Sequence, residues 1–508
     1  MDEARLSETG RRRLGELRRL FNVEQPEEPE RVTGGFVGSP IPAKAAQRMN
    51  DAQWLRAMNR YDADRTDWTT LTGGALELAQ VLKEEVKKDP ARFARLALRL
   101  TPESHPAYAD AILHALGESE VPVDSTLVFE AIRHLAAFPS DDATRWLGWA
   151  LRRHLKNEIP DDIIGLLLDR ALHSADPSEE TWSREAAGGP VGYESDPLAQ
   201  GINTTRGQTV EMLGDILIYD ADGRRTALVV PVLDQLADEP SVAVRACTAH
   251  LIAACLRHAR VEAVAAFQRL IQTDDRLLAT RHVERLIVYI GNGDAMIIEP
   301  VIQRMIDSTH PGVRKAGGRL AAFAGLELGL TDLFAIALAS ADTSVRKGVA
   351  QVCAGHLPRT TNAAAAGEAI QGFINDADDE VREVAANVAV VLRGKALRPF
   401  ERELAVLIGS QSFERAAPQI LITLDQAPDR VDDLIIACAR RFVEVHGAQT
   451  GDISTGAAGE AREVGELLLR AYAQAIDVTA KGEVLDILDE LLAFGAYGVA
   501  ELVGAAER

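Results

Sequence analysis

The chain has 508 residues, of which 47% are hydrophobic, 26% charged and 5% aromatic, and its 55 basic and 76 acidic side chains give a net charge of −21. That length exceeds one compact core and predicts about three domains or one elongated array, while the charge argues against nucleic acid as the main ligand, because phosphate binding needs a strong cationic field. Abundant alanine and leucine predict helix; no run reaches the ~18–20 apolar residues of a membrane span, and the charged N-terminus lacks an apolar signal core, so a soluble, cytoplasmic all-α protein is expected.

In chain order, a first helix is expected over 7–21, capped by Ser7. Arg5, Arg11, Arg12, Arg13, Arg18 and Arg19 form its solvated side, and Leu14, Leu17 and Leu20 its apolar stripe. Residues 22–48 break the pattern with Pro26, Pro29, Pro40, Pro42, Gly34, Gly35 and Gly38, and read as an extended loop. Phe36, Val37 and Ile41 are expected to pin this loop to the helices, and Phe36 is also a candidate partner contact. Residues 49–174 read as an irregular region of helical hairpins, opened by Trp54, Leu55, Met58 and Tyr61 on one face. Helices are expected near 74–88, 90–100, 105–117, 124–138, 141–156 and 160–173, with Trp146 and Trp149 filling the core. Residues 175–203 form a loop insertion too long for a plain connector. Its Trp182, Arg184 and Tyr193 either fold back on the scaffold or meet a partner.

Residues 204–446 repeat one phrase: an acidic residue in a turn, then a small apolar residue and an arginine opening a helix. Aligned on the arginine, the series runs Arg206, Arg245, Arg281, Arg314, Arg346, Arg382, Arg415, with gaps of 39, 36, 33, 32, 36 and 33 residues. This is the period of helical solenoids. Pro231 and Pro300 each lie fourteen residues before an arginine of the series and seven before Asp238 and Asp307, which predicts a bent first helix in those hairpins. Residues 447–459 read as a flexible excursion, and three capping helices close the chain by 508.

The period, the proline phase, the turn aspartate and the early arginine together resemble HEAT repeats. The resemblance covers about 200–430. It implies a right-handed superhelical solenoid of antiparallel helix hairpins, with a structural ladder in which Asp238, Asp307, Asp342 and Asp376 meet Arg245, Arg281, Arg314, Arg346, Arg382 and Arg415. Thr280-Arg281 and Glu414-Arg415 depart from the Val-Arg pattern. A second resemblance rests on Gly35-Phe36-Val37-Gly38-Ser39-Pro40-Ile41-Pro42, on Met49-Asn50-Asp51-Ala52-Gln53-Trp54 with Leu55 to Met58, and on Gly201-Ile202-Asn203-Thr204-Thr205-Arg206-Gly207. These stretches are similar to the C-terminal, HEAT-like parts of bacterial STAND-class NTPases, which implies a sensor of phage or stress components.

Motifs for catalysis are missing. There is no GxxxxGK[ST], no HExxH and no Gly-x-Ser-x-Gly. Cys247, Cys255, Cys353 and Cys438 form no CxxC pair and read as buried thiols. His250, Cys255 and His258 share a helix but lack matching carboxylates, so packing is the better reading. No His-Glu dipeptide of the metal-binding HEAT-type hydroxylases occurs, and the charge does not suit HEAT-like DNA glycosylases. No cofactor and no metal are expected. The reading is a non-enzymatic scaffold with a protein partner, since a solenoid exposes a long concave surface. An enzyme, in which His250, His258, His282 and Glu284 converge, and a nucleic-acid-binding solenoid are the alternatives.

Overall fold

The computed structural model describes residues 6–21, 35–139, 144–180, 196–475 and 477–506. Among these residues there is no strand; Gly38 with Thr72 and Asp67 with Thr72 form isolated bridges. Helix starts follow local chemistry. Asn50 and Gln53 close a reciprocal capping box (2.8 and 3.0 Å), Asp89 caps a helix whose first residue is Pro90, and Ser241 accepts from Val244 N (3.4 Å).

The repeats stack in two layers. The second helices Thr205–Ile218, Val242–Cys255, Arg281–Gly291, Pro311–Glu327, Thr343–His356 and Asp379–Ala386 pack each on the next in single file. The first helices Ala295–Ile306, Thr331–Leu338 and Ala363–Ile374 each pack against the second helices on both sides. Both layers continue outside this stretch. Ala75–Lys88 packs on Pro106–Glu118, and Asp161–His173 on Thr205–Ile218. At the other end Phe413–Asp425 packs on Gly456–Gln474, and Asp432–His446 on Val478–Ala493. The chain is an all-α, HEAT-like solenoid of helix hairpins. Glycines allow a close approach of Pro311–Glu327 to Thr343–His356: a Cβ on Gly318 would collide with Val345 O, and one on Gly348 with Lys315 O.

The kink expected at Pro231 is present, for the first helix there is split into Arg224–Val229, a 3-10 turn Val230–Val232, and Leu233–Ala237. Pro300 lies inside the unbroken helix Ala295–Ile306.

The arginines clasp the turns. Six residues behind each lies a carbonyl at the end of the first helix, and the guanidinium donates to it: Arg245 to Glu239 O, Arg314 to Ser308 O (2.9 Å), Arg346 to Ser340 O (3.1 Å) and Arg382 to Asp376 O (2.6 Å). Each of these carbonyls lies in the turn, two residues past the end of the first helix. Two of these arginines then reach the aspartate of the next repeat, Arg314 to Asp342 (3.0 Å) and Arg346 to Asp376 (2.9 Å). Arg206 similarly reaches Glu239 (3.1 Å).

The ladder is narrower than the resemblance implies. Arg245 is buried and its Nη1 donates to Arg269 O and Leu270 O (3.4 and 3.0 Å), while Asp238 pairs with Arg269 (3.1 Å). Asp307 accepts from Gln303 (2.9 Å), and Arg382 turns to Asp379 in its own first turn. Arg281 and Arg415 make no hydrogen bond or ion pair among the described residues. At Arg281 the carboxylate six residues back, Asp275, is already held by Arg304 (2.7 Å) and by Ser308 Oγ (2.8 Å). Arg304 also takes Ile271 O and Thr273 O (2.8 and 2.9 Å). At Arg415 the preceding turn is closed by Ser410, which donates to Leu407 O (2.7 Å).

Several segments differ from their sequence reading. Residues 144–156 are turns around a 3-10 helix, Trp149–Leu151, because Trp146, Gly148 and Trp149 have low helix propensity and packing decides their backbone. Phe36 does not pin its loop; it is 94% exposed, and the loop is held by Gly38 N to Leu71 O and Gly73 N to Gly38 O (2.8 Å each). The 175–203 segment carries a short helix, Pro197–Gly201, packed on Val242–Cys255, and Asp176 holds Thr205 N (2.6 Å). Trp182, Arg184 and Tyr193 lie outside the described residues. The 447–459 stretch is not a loose excursion. Thr450 is buried, donates to Gly447 O (2.7 Å) and accepts from Tyr497 N (3.0 Å).

Candidate functional site

Several of the second helices bury all but one stripe of side chains, whereas Val242–Cys255 buries every residue from Val242 to Ile252 and Asp379–Ala386 buries only Val381 and Ala385. Between Tyr108 and Glu118 only Asp110, His114 and Glu118 escape burial; between Gly207 and Leu217 only Glu211 and Asp215 do. On Arg281–Gly291 the stripe is Arg281, Glu284, Arg285, Val288 and Tyr289. This spacing of three and four residues is what one face of a helix presents.

At the N-terminal end of this face, His114 stacks on Trp146 with ring centroids 4.3 Å apart, and Trp146 meets Trp149 edge-on at 5.9 Å. Arg145 and Arg152 lie over the two indoles at 5.3 and 4.4 Å. The two tryptophans are half-buried and pack against the edge of the core, so they fill it only in part. Burial and the neighbouring Lys83 push the His114 pKa down, and Lys83 Nζ donates to its Nδ1 at 2.5 Å. Lys87 completes the group on Glu118 (2.9 Å).

In the middle, His250 and His282 stack with centroids 5.1 Å apart. His250 Nε2 meets Asp215 (2.9 Å), and His282 Nε2 meets Glu211 (2.8 Å). One Arg285 nitrogen reaches both Nδ1 atoms, at 2.9 and 3.1 Å. Glu211, His250 and His282 offer ligand atoms within 4.8 Å of one another, a spacing that can hold a metal ion. The arginine decides otherwise. A guanidinium only donates, so both Nδ1 atoms accept and both Nε2 atoms carry the proton. The Nε2–H groups then donate to the two carboxylates, and no imidazole lone pair remains for a cation. The set is a closed relay from cation through neutral imidazoles to anions.

Of the four residues proposed to converge in an enzyme, only His250 and His282 meet. His258 Nε2 instead bonds Asp220 O (2.9 Å), and Glu284 pairs with Arg319 (2.5 Å). Glu211, Asp215 and Arg285 were legible only as an i,i+4 pair and an i,i+3 partner of His282, too common a spacing to single out. The four thiols are buried; Cys247 is pushed well up by burial, and Cys255, Cys353 and Cys438 are raised by burial to about 12. They are not nucleophiles at neutral pH.

Beyond the histidines the face carries charges of both signs, with Arg276 on Asp274 (2.8 Å) and Arg319 on Glu284 (2.5 Å). Arg281 and Arg319 line a cleft of about 430 Å³ with Arg276, Glu284 and Pro197. Lys315 stands next along, its pKa lowered by burial and by the charges of Arg319 and Lys347. Farther on, Lys347 pairs with Glu380 (2.5 Å), and Arg415 lies in a cleft of about 520 Å³ with Asp379, Arg382, Glu383 and Glu414.

No family model matches the chain, and no curated protein matches it. Among solved structures it is similar to Kap121p, at 12% identity and a TM-score of 0.42 over 89% of this chain and 50% of that one. Kap121p bound to Pho4p gives 12% identity and 0.40 over 91% and 54%. A chain of the Pds5–Scc1 complex gives 11% and 0.28 over 96% and 73%. The chain thus spans about half the length of Kap121p. These TM-scores lie below 0.5, so the architecture stated above rests on the helix packing itself. Among the described residues, no helix is long and apolar enough to cross a membrane.

Proposed function

We propose that this chain is a non-enzymatic protein-recognition scaffold that binds its partner along the second-helix face. The observation that carries the reading is two groups of partly exposed side chains on this face, Lys83, Lys87, His114, Trp146 and Trp149 at one end and Arg285, Lys315, Arg319 and Lys347 at the other, on either side of the buried His250 and His282. Aromatic and arginine side chains dominate the energetics of protein interfaces. The buried thiols and the closed histidine relay leave this face without an activated nucleophile or an open ligand set.

Within that reading, the sequence resemblance to STAND-class C-terminal regions supports a sensor portion, or a partner subunit, of a bacterial antiphage NTPase system. The residues behind that resemblance also do structural work. Thr204 caps the Thr205–Ile218 helix, and Gly201 and Gly207 sit where no Cβ fits. Purification of the full chain from phage-infected and uninfected bacteria, with lysine cross-linking, tests both levels. The scaffold reading expects a stoichiometric protein cross-linked at Lys83, Lys87, Lys315 or Lys347, and the sensor reading expects it after infection alone. Cross-links confined to other lysines contradict the proposed face.

A further inference from the structure

We propose that the helix Glu8–Phe21 of one copy of this chain docks antiparallel on the exposed side of the helix Val478–Ala493 of a second copy. Val478–Ala493 buries Val484, Ile487, Leu488 and Leu491 against its own array, yet it leaves Val478, Leu485 and Leu492 exposed, Val478 by 82%. These three recur every seven residues and form one stripe along the helix. Asp486 and Asp489 border the stripe, with Glu483 and Glu490 behind them. None of these four carboxylates makes a hydrogen bond or ion pair among the described residues. In a solenoid, an apolar helix side of this kind is what stacks on a further helix.

The complementary surface is in the same chain. Glu8–Phe21 carries five arginines and two glutamates, in a protein whose net charge is −21. None of its described side chains is buried, Leu14 and Leu17 included, and Arg11, Arg12 and Arg13 make no side-chain bond among the described residues. An acidic body is repelled by an anionic membrane, whereas it offers these arginines carboxylates beside an apolar stripe. The register sets the direction. Arg18 follows Leu14 by four residues and Asp489 follows Leu485 by four. Both charged rows therefore lie on the same rotational side of their leucines, and they meet when the two helices run antiparallel. Gly38 bridges Thr72 at one end of the stack and Val478–Ala493 packs at the other, so the docked helix comes from a second copy. Val478–Ala493 lies in the layer of first helices, and the contact does not rest on the recognition face proposed above.

The test is sedimentation velocity of the full chain over a concentration series at low and high salt, with flotation on phosphatidylserine vesicles in parallel. The average mass is expected to rise with concentration and to fall back when salt is added. Arg11→Glu with Arg18→Glu, and separately Asp486→Arg with Asp489→Arg, should each raise the concentration of half-association by about tenfold or more. The second pair brings the net charge nearer zero, so weaker association there does not come from general repulsion. Leu17→Asp, in a helix without a buried described side chain, should weaken association as well. A chain carrying all four charge reversals should associate again. A wild type that stays monomeric throughout, association that either charge pair leaves unchanged, or no recovery in the fourfold variant overturns the proposal. Vesicle binding that the arginine pair abolishes, without self-association, assigns the helix to a membrane surface and overturns it too.

Discussion

Arg304 holds Asp275 with Nη2 and Oδ1 2.7 Å apart, and by doing so it relieves Arg281 of the task its position in the repeat assigns to it. One arginine is structural and the other makes no bond among the described residues, although the sequence period marks the second.

This inversion is measurable. Arg304→Ala leaves Asp275 and two carbonyls short of a partner and is expected to destabilise the fold by about 1–3 kcal/mol in urea denaturation. Arg281→Ala is expected to change stability by less than about 0.5 kcal/mol. Equal costs for the two substitutions count against the assignment.

The approach of Pro311–Glu327 to Thr343–His356 depends on Gly318 and Gly348. Gly348→Ala places a methyl group against Lys315 O and forces the two helices apart. A loss of about 1–3 kcal/mol is expected, against the small gain that alanine brings in a free helix. A stabilised Gly348→Ala protein would show that the helices do not pack this closely.

The histidine relay makes a prediction about metal. In the wild-type chain, zinc is expected to give no rise in melting temperature, because Arg285 fixes the proton on both Nε2 atoms. Arg285→Leu frees Nδ1 to carry the proton and releases two Nε2 lone pairs beside Glu211, so zinc should then stabilise the protein. Stoichiometric zinc in the wild type would overturn the tautomer assignment.

Stability should also fall in mild acid. His154 is buried, and burial pushes its pKa down. The unfolded chain therefore binds a proton that the folded chain refuses. The stability associated with the neutral ring is present above the unfolded value of about 6.5 and is lost as pH falls below it. Denaturation series at pH 7.5 and 5.5 should show this loss, and His154→Phe should reduce it. An unchanged slope in the variant would place the acid sensitivity elsewhere.

The repeat was legible because the arginine and the turn satisfy local chemistry: Arg245, Arg314, Arg346 and Arg382 each cap a carbonyl six residues back. The HEAT resemblance implied turn aspartates meeting the arginines of the series, and Arg314 does meet Asp342 and Arg346 Asp376. Arg304 was not legible in this way, because it sits in a first helix, out of phase with the series. The Glu211–Asp215–His250–His282–Arg285 relay draws on three helices spread over 75 residues, a juxtaposition no local pattern encodes. Residues 144–156 misled because tryptophan at helical spacing is also compatible with a 3-10 turn.

The scaffold reading is tested most directly by comparing partner capture by the full chain and by a variant carrying Trp149→Ala and Arg281→Glu, both on the second-helix face. The account predicts a stoichiometric protein partner on the wild type that is lost from the variant while its melting temperature shifts by only a few degrees. A partner retained undiminished by the folded variant would contradict it.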